Sequence, residues 1–282
     1  MMGHADIKVT IGLPTYNRAD LLPACVESVL NQTYSNWEII ISDDNSSDTT
    51  REVASSLAEH DSRIRYLRQE SRVHLPENRN IICSLSNSNL IFFIEDDLIL
   101  DKDCLVNLVF AYRDLSTSKK IAAVTPRLIE GTAAIEKAKG RKVITVSPWT
   151  GLIQPNFHID CNVRLPIVAG HACSLISKEA WKLAGGYEER RYRGTSFREE
   201  TDFYFRARQK GYEIYFEPKA VVYHLRYGSG GCRSSSQFKD DYYYARNHIL
   251  FLLRFYRLTS AYRIPLFLVY LGGRLILRGF RS

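Results

Sequence analysis

Leu90-Ile91-Phe92-Phe93-Ile94-Glu95-Asp96-Asp97 is an unbroken apolar run that turns directly into three acids. A strand that is apolar at every position is what a parallel strand covered on both faces looks like. Adjacent carboxylates repel one another, so folding alone gives little reason to gather them at its end. A cation neutralises them most simply, and hard oxygen ligands suit Mg²⁺ or Mn²⁺ shared with phosphate oxygens. The competing explanation for one such cluster is a solvated loop that caps the next helix through Asp101 or Asp103. A second cluster, Ser42-Asp43-Asp44, ends another apolar run and weakens that explanation.

Working outward, Val9–Leu13, Trp37–Ile41 and Ile64–Leu67 read as further buried strands. Between them Leu21, Leu22, Cys25, Val26, Val29 and Leu30 recur at helical spacing, Asp48 can cap a helix to about His60, and Glu77–Leu85 is helical. Strands alternating with helices of this length build βαβ units and a mostly parallel twisted sheet, an α/β fold. Further along, Ile121–Val124, Ile167–Ile176, Tyr212–Phe216 and Ala220–His224 are expected strands. Lys178–Ala184 and residues 199–210 are expected helices, and 130–165 an irregular loop. Gly228-Ser229-Gly230-Gly231 is a candidate hinge.

The 282 residues, 45% hydrophobic and 24% charged, are ordinary globular protein. Six cysteines never approach closer than twelve positions, so C-x-x-C zinc and redox chemistry is excluded. No basic segment followed by an apolar core opens the chain, and a reducing cytosol is expected. The net charge of +7 resides in 242–282, which holds seven arginines and no acid. Those arginines alternate with Leu, Ile, Phe and Tyr. This suits an anionic membrane surface better than nucleic acid, which is not expected as a partner. The alternatives for these helices are packing on the body of the protein or a homodimer contact. We divide the chain into a body at 1–241, with a first half to about 120, and a basic amphipathic helical tail at 242–282.

Ligands of an open parallel sheet collect at the carboxyl ends of its strands. Pro14-Thr15-Tyr16-Asn17-Arg18 lies at one such end, but no glycine-rich phosphate cradle follows it. A nucleotide would then need a metal for its phosphates, Tyr16 against its base, Asp44 for a base N–H, and Arg79 near the base or diphosphate.

The stretches Val9-Thr10-Ile11-Gly12-Leu13-Pro14-Thr15-Tyr16-Asn17-Arg18, Asp43-Asp44-Asn45-Ser46-Ser47-Asp48, Arg79-Asn80 and Phe93-Ile94-Glu95-Asp96-Asp97 together resemble the N-terminal half of family 2 glycosyltransferases. Gly185-Gly186-Tyr187, Glu199-Glu200-Thr201-Asp202 and Ala220-Val221-Val222-Tyr223-His224 resemble the acceptor half, so the similarity runs over about residues 7 to 257. The resemblance implies a GT-A fold and a nucleotide-diphosphate sugar donor, UDP-linked by family preference. It implies Pro14, Thr15, Tyr16, Asn17, Asp44, Arg79 and Asp96 at the nucleotide. Asp97 would be the main metal ligand, with Glu95 and His224 as further ones. Glu200, with Glu199 second, would be the base that deprotonates an acceptor hydroxyl, and inversion would result. Asp202 is expected to pair with Arg206. By analogy the acceptor is a glycan or lipid-linked sugar, and the protein works peripherally on the inner face of the cell membrane. A sugar-nucleotide nucleotidyltransferase and a non-catalytic sugar-nucleotide-binding protein are the competing readings.

Overall fold

The computed structural model describes residues 7–131, 142–192, 194–225 and 236–279. The first half alternates as the apolar runs require: β1 (Val9–Thr15), α1 (Leu22–Leu30), β2 (Trp37–Asp43), α2 (Thr50–His60), β3 (Ile64–Arg68), α3 (His74–Leu85) and β4 (Leu90–Phe93). There follow β5 (Leu98–Leu100), α4 (Cys104–Ser116), β6 (Ile121–Glu130), β7 (Ile144–Val146), β8 (Ile153–Pro155), β9 (Leu165–Ile167) and β10 (Leu175–Ser177). The chain ends with α5 (Lys178–Ala184), α6 (Glu199–Gln209), β11 (Glu213–His224), α7 (Gln237–Phe255) and α8 (Ser260–Gly279).

The main sheet runs β3-β2-β1-β4-β10-β6-β11-β5, with β9 also on β11. The β3-β2-β1-β4 block and the β6/β11 pair are parallel, while β10, β5 and β9 pair antiparallel. Side chains of successive residues point to opposite faces, and both faces are apolar. Val9, Ile11, Leu13, Ile39, Ile41, Leu90 and Phe92 pack in one cluster with α1, α2 and α4. Ile40, Ile91 and Phe93 pack in the other with α3, α5 and α6.

Four expectations need correction. Ile167–Ile176 is not one strand: only its two ends pair, as β9 and β10. Between them Gly170 lies against Thr125, Ser174 and Tyr204, where a Cβ would overlap the Thr125 hydroxyl, and the His171 ring turns to the Pro126 carbonyl at 2.9 Å. Residues 130–165 are not all irregular, since β7 and β8 form an antiparallel hairpin. The two strands expected at 212–224 are one strand, β11, whose register against β6 shifts between Glu217 and Val221. Pro218, which has no N–H for a ladder, sits in that shift. Finally, α7 begins at Gln237, ahead of the expected Tyr242. The glycine-rich segment 228–231 lies outside the described residues.

The C-terminal helices pack on the rest of the chain. Phe205 of α6 meets Phe251 and Phe255 of α7 edge to face, at ring separations of 5.0 and 5.2 Å. Phe267 and Leu271 of α8 bury against Leu152, Tyr244 and Ile249. Several tail arginines take partners from the protein itself. Arg254 pairs with Glu188 and Asp202, Arg246 donates to the Arg191 carbonyl, Arg263 donates to the Ser147 carbonyl, and Arg278 pairs with Asp241.

Gly12 in β1 allows α3 and β4 to close on the strand, since a Cβ there would stand 2.8 Å from the Phe93 ring and 2.9 Å from Ile82. Both neighbours are fully buried. Gly12→Ala is therefore expected to destabilise the fold by about 1–3 kcal/mol through overpacking, read as a lower urea midpoint with an unchanged m-value.

Candidate active site

Because β2, β1 and β4 run parallel as neighbours, their carboxyl ends open on the same edge, with Thr15 in register with Asp43. There they form one wall of a cleft of about 870 Å³. Pro14, Thr15, Tyr16, Asp44, Arg79, Glu95, Asp96, Asp97, Glu199, Glu200 and His224 all line it, so residues up to 210 positions apart in sequence converge here. Asn17 is the exception. Its backbone is left-handed (φ 52°), its side chain accepts from the Ser47 N–H at 2.8 Å, and its own N–H donates to Ser46 Oγ. Asn17 thus ties the loop after β1 to the loop after β2, and it is not a cleft residue.

The acids after β4 are held individually. Thr15 Oγ1 donates to Asp96 Oδ2 at 2.8 Å, and Arg18 lies 3.4 Å from Asp96 Oδ1 and 3.8 Å from Asp97 Oδ2. β5 runs antiparallel to the end of β11, placing His224 opposite Leu98, and the Asp97 carbonyl accepts from the Leu225 N–H at 2.8 Å. The imidazole Nε2 of His224 then stands 3.4 Å from Asp97 Oδ2. Burial pushes the Asp96 carboxyl up to about 7, against the pull of Arg18 and Thr15. Burial would also raise Asp97, but the hydrogen bond and charge of His224, with Arg18, hold it below the usual carboxylate range. Burial and the neighbouring Asp97 push Glu95 up, although Arg79 opposes them.

The expected triple of metal ligands is not assembled: among the described residues no three His, Cys, Asp or Glu side chains converge into a cation cage. Asp97 and His224 do converge, one hard oxygen beside one imidazole nitrogen. That pair fits a small divalent ion that completes its shell with phosphate oxygens and water. Glu95 lines the cleft beside them without joining the pair.

Two residues expected to face the substrate are engaged elsewhere. Arg79 on α3 and Glu199 at the start of α6 form an ion pair in which both side chains are 1% exposed. Burial works against the Arg79 charge, but the Glu199 carboxylate outweighs it and holds the guanidinium above its ordinary range. Arg79 therefore belongs to the frame of the cleft rather than to a free anion contact, and Glu199 is already committed. Glu200, half-buried on the next position of α6, remains the available carboxylate on that lip. Asp202 pairs with Arg206 as expected, and also accepts from Tyr192 and Arg254.

Asp44 is likewise occupied. Its oxygens accept from Arg72 Nε at 3.0 Å and from the Val73 N–H at 2.6 Å, with the His74 N–H at 3.2 Å. The Arg72 guanidinium also lies over the Tyr16 ring, 3.4 Å from its centre. Sequence reasoning missed Arg72, which carries no motif, and Arg18, which stood inside a quoted motif without an assigned partner. It also missed the opposite wall, where Gln237, Asp240, Asp241 and Tyr244 of α7 meet Arg274 and Arg278 of α8. Only the rule that a tail can fold back over an open sheet edge could have suggested that wall.

Residues 10–144 match the model of the family described as glycosyl transferase family 2. Among curated proteins, the chain is 36% identical over 91 residues to a GalNAc(5)-diNAcBac-PP-undecaprenol beta-1,3-glucosyltransferase of Campylobacter jejuni, covering 32% of this chain and 29% of that protein. It is 38% identical over 92 residues to the UDP-Glc:alpha-D-GlcNAc-diphosphoundecaprenol beta-1,3-glucosyltransferase WfgD of Escherichia coli, covering 33% of this chain and 36% of that one. The matched stretch thus spans about a third of those two relatives. In fold, the chain is similar to S. aureus TarS 1–349 in complex with UDP-GlcNAc, with a TM-score of 0.63 at 14% identity over 88% of this chain and 67% of that one. A GT-A-like sheet, acids at its strand ends and the match over its first half agree: residues 10–144 are similar to glycosyl transferase family 2.

Proposed function

We propose that the chain transfers a sugar from a UDP-linked donor to a hydroxyl of a glycan or lipid-linked acceptor, with inversion, in cell-surface polysaccharide or glycolipid assembly at the inner face of the membrane. The observation that carries this reading is the meeting of Asp97 and His224 across one cleft from Glu200. The UDP-sugars named with WfgD and with the TarS complex support the donor class, and the two diphosphoundecaprenol-named relatives support a lipid-linked acceptor.

The pyrophosphate of the donor lies at the Asp97 end, and the uridine extends toward Tyr16 and Asp44. Asp97 and His224 would hold a divalent ion, Mn²⁺ or Mg²⁺, which would supply positive charge for the departing diphosphate. Asp96, fixed by Thr15, accepts from a ribose hydroxyl. Base entry exchanges the Arg72 guanidinium on Tyr16 for the pyrimidine ring. Glu200 takes the proton of the acceptor hydroxyl as its oxygen bonds to the anomeric carbon, and the bond from that carbon to the β-phosphate oxygen breaks. One displacement inverts the configuration. The frame around Glu200 is rigid because its neighbour Glu199 is locked to Arg79.

Three measurements test this. A thermal-shift panel of UDP-, GDP- and dTDP-sugars should give stabilisation by UDP-sugars that grows with Mn²⁺; indifference to every nucleotide would refute the reading. Asp97→Asn should abolish both the Mn²⁺-dependent part of that shift and transfer while melting like the parent, and wild-type turnover with metal present would remove Asp97 from the mechanism. Glu200→Gln should lower kcat about 10²–10⁴-fold with UDP affinity unchanged. An unaltered kcat would send the base elsewhere.

A further inference from the structure

α8 carries two unlike faces. Ser260, Arg263, Phe267, Leu271, Arg274 and Arg278 recur at intervals of three and four and face α7 and the cleft; Phe267 is fully buried, and Arg274 and Arg278 line the cleft. On the other side Tyr262, Leu266, Val269, Gly273 and Ile276 recur at the same intervals and stand in solvent, Val269 at 74% exposure and Ile276 at 63%. Leu268, Tyr270 and Leu275 widen this stripe, and Leu258, at 93% exposure, extends it to the turn between α7 and α8. No charged side chain interrupts the stripe. A helix of 20 residues is about 30 Å long, so the apolar strip is larger than the scattered exposed residues of an ordinary surface. Yet no described helix is long and apolar enough to cross a membrane.

We infer that the outer face of α8 lies in the headgroup boundary of a lipid bilayer, parallel to its plane, and brings the cleft to the membrane surface. Charge selects lipid over a protein partner. The chain from 242 to 282 has seven arginines and no acid, and Arg257 stands exposed beside Leu258 at one end of the stripe. A rim of one sign complements phosphate headgroups, whereas protein surfaces present both signs. Tyr262 and Tyr270 have the apolar body and polar tip that suit the boundary itself. Because most tail arginines are engaged within the protein, the apolar stripe and not charge carries the contact. This choice of occupant rests on the lipid-linked acceptor proposed above, and it gives that acceptor a short path: Arg274 and Arg278, on the opposite side of the same helix, border the cleft, so the cleft rim sits within about one helix diameter (10–12 Å) of the headgroups.

The test is flotation of the full chain with vesicles of phosphatidylcholine and phosphatidylglycerol, and with phosphatidylcholine alone. The parent chain should float with both, with a modest preference for the first, and should keep most of its binding at about 1 M salt, where screening is nearly complete. Val269→Asp combined with Ile276→Asp should weaken binding about tenfold or more while melting like the parent, since both side chains are exposed. UDP affinity measured on the same samples should be equal for both proteins, so a failure of the nucleotide reading is seen separately from a failure of the surface. A parent chain that stays in the aqueous layer, or a double variant that floats equally well, overturns the inference. So does a lipid-free dimer of the parent that the double variant splits.

Discussion

Arg79 and Glu199 hold the cleft together. They come from α3 and α6, 120 positions apart, and neither reaches water to any useful degree. Withdrawing each charge from water costs several kcal/mol, and only close mutual pairing offsets it. Removing one partner would leave the other charge buried and alone, so the two helices can hardly shift relative to one another. That fixes the distance between the carboxyl ends of the strands and the first turn of α6, where Glu200 sits. For the displacement proposed above, such rigidity would keep Glu200 in place for proton transfer.

The same economy of partners runs through the loops. Asp43, which looked like half of an acidic pair, accepts from Ser46 and Tyr66 and organises its own turn. Asp44 holds the segment 72–74, and Asn17 ties two strand-end loops together. Asp96 and Asp97 are both buried and line the cleft at the end of β4.

What could be read from the sequence follows from locality. β1, β2 and β4 were legible because each is a run of buried apolar residues stopped by polar ones, and the acids that follow fall where strand ends must lie. Residues 167–176 were not, since their apolar composition matches a strand while Gly170 and His171 are shaped by contacts with Thr125 and Pro126 that only the fold supplies. Arg79 and Glu199 were each noticed, but nothing in either neighbourhood announces that they meet. Asp240 and Asp241 carry no motif in the sequence. Their place on the cleft depends on α7 folding back across the sheet edge, driven by Phe251 and Phe255 against Phe205.

That fold-back divides the lining of the cleft between the two ends of the gene. The strand ends belong to the first hundred residues, whereas the facing wall belongs to the last forty-five or so, joined to the rest through α6 and its aromatic contacts. Exchange of the terminal helices by recombination would therefore change that wall and leave the strand ends in place, provided that Phe205 still finds its aromatic partners.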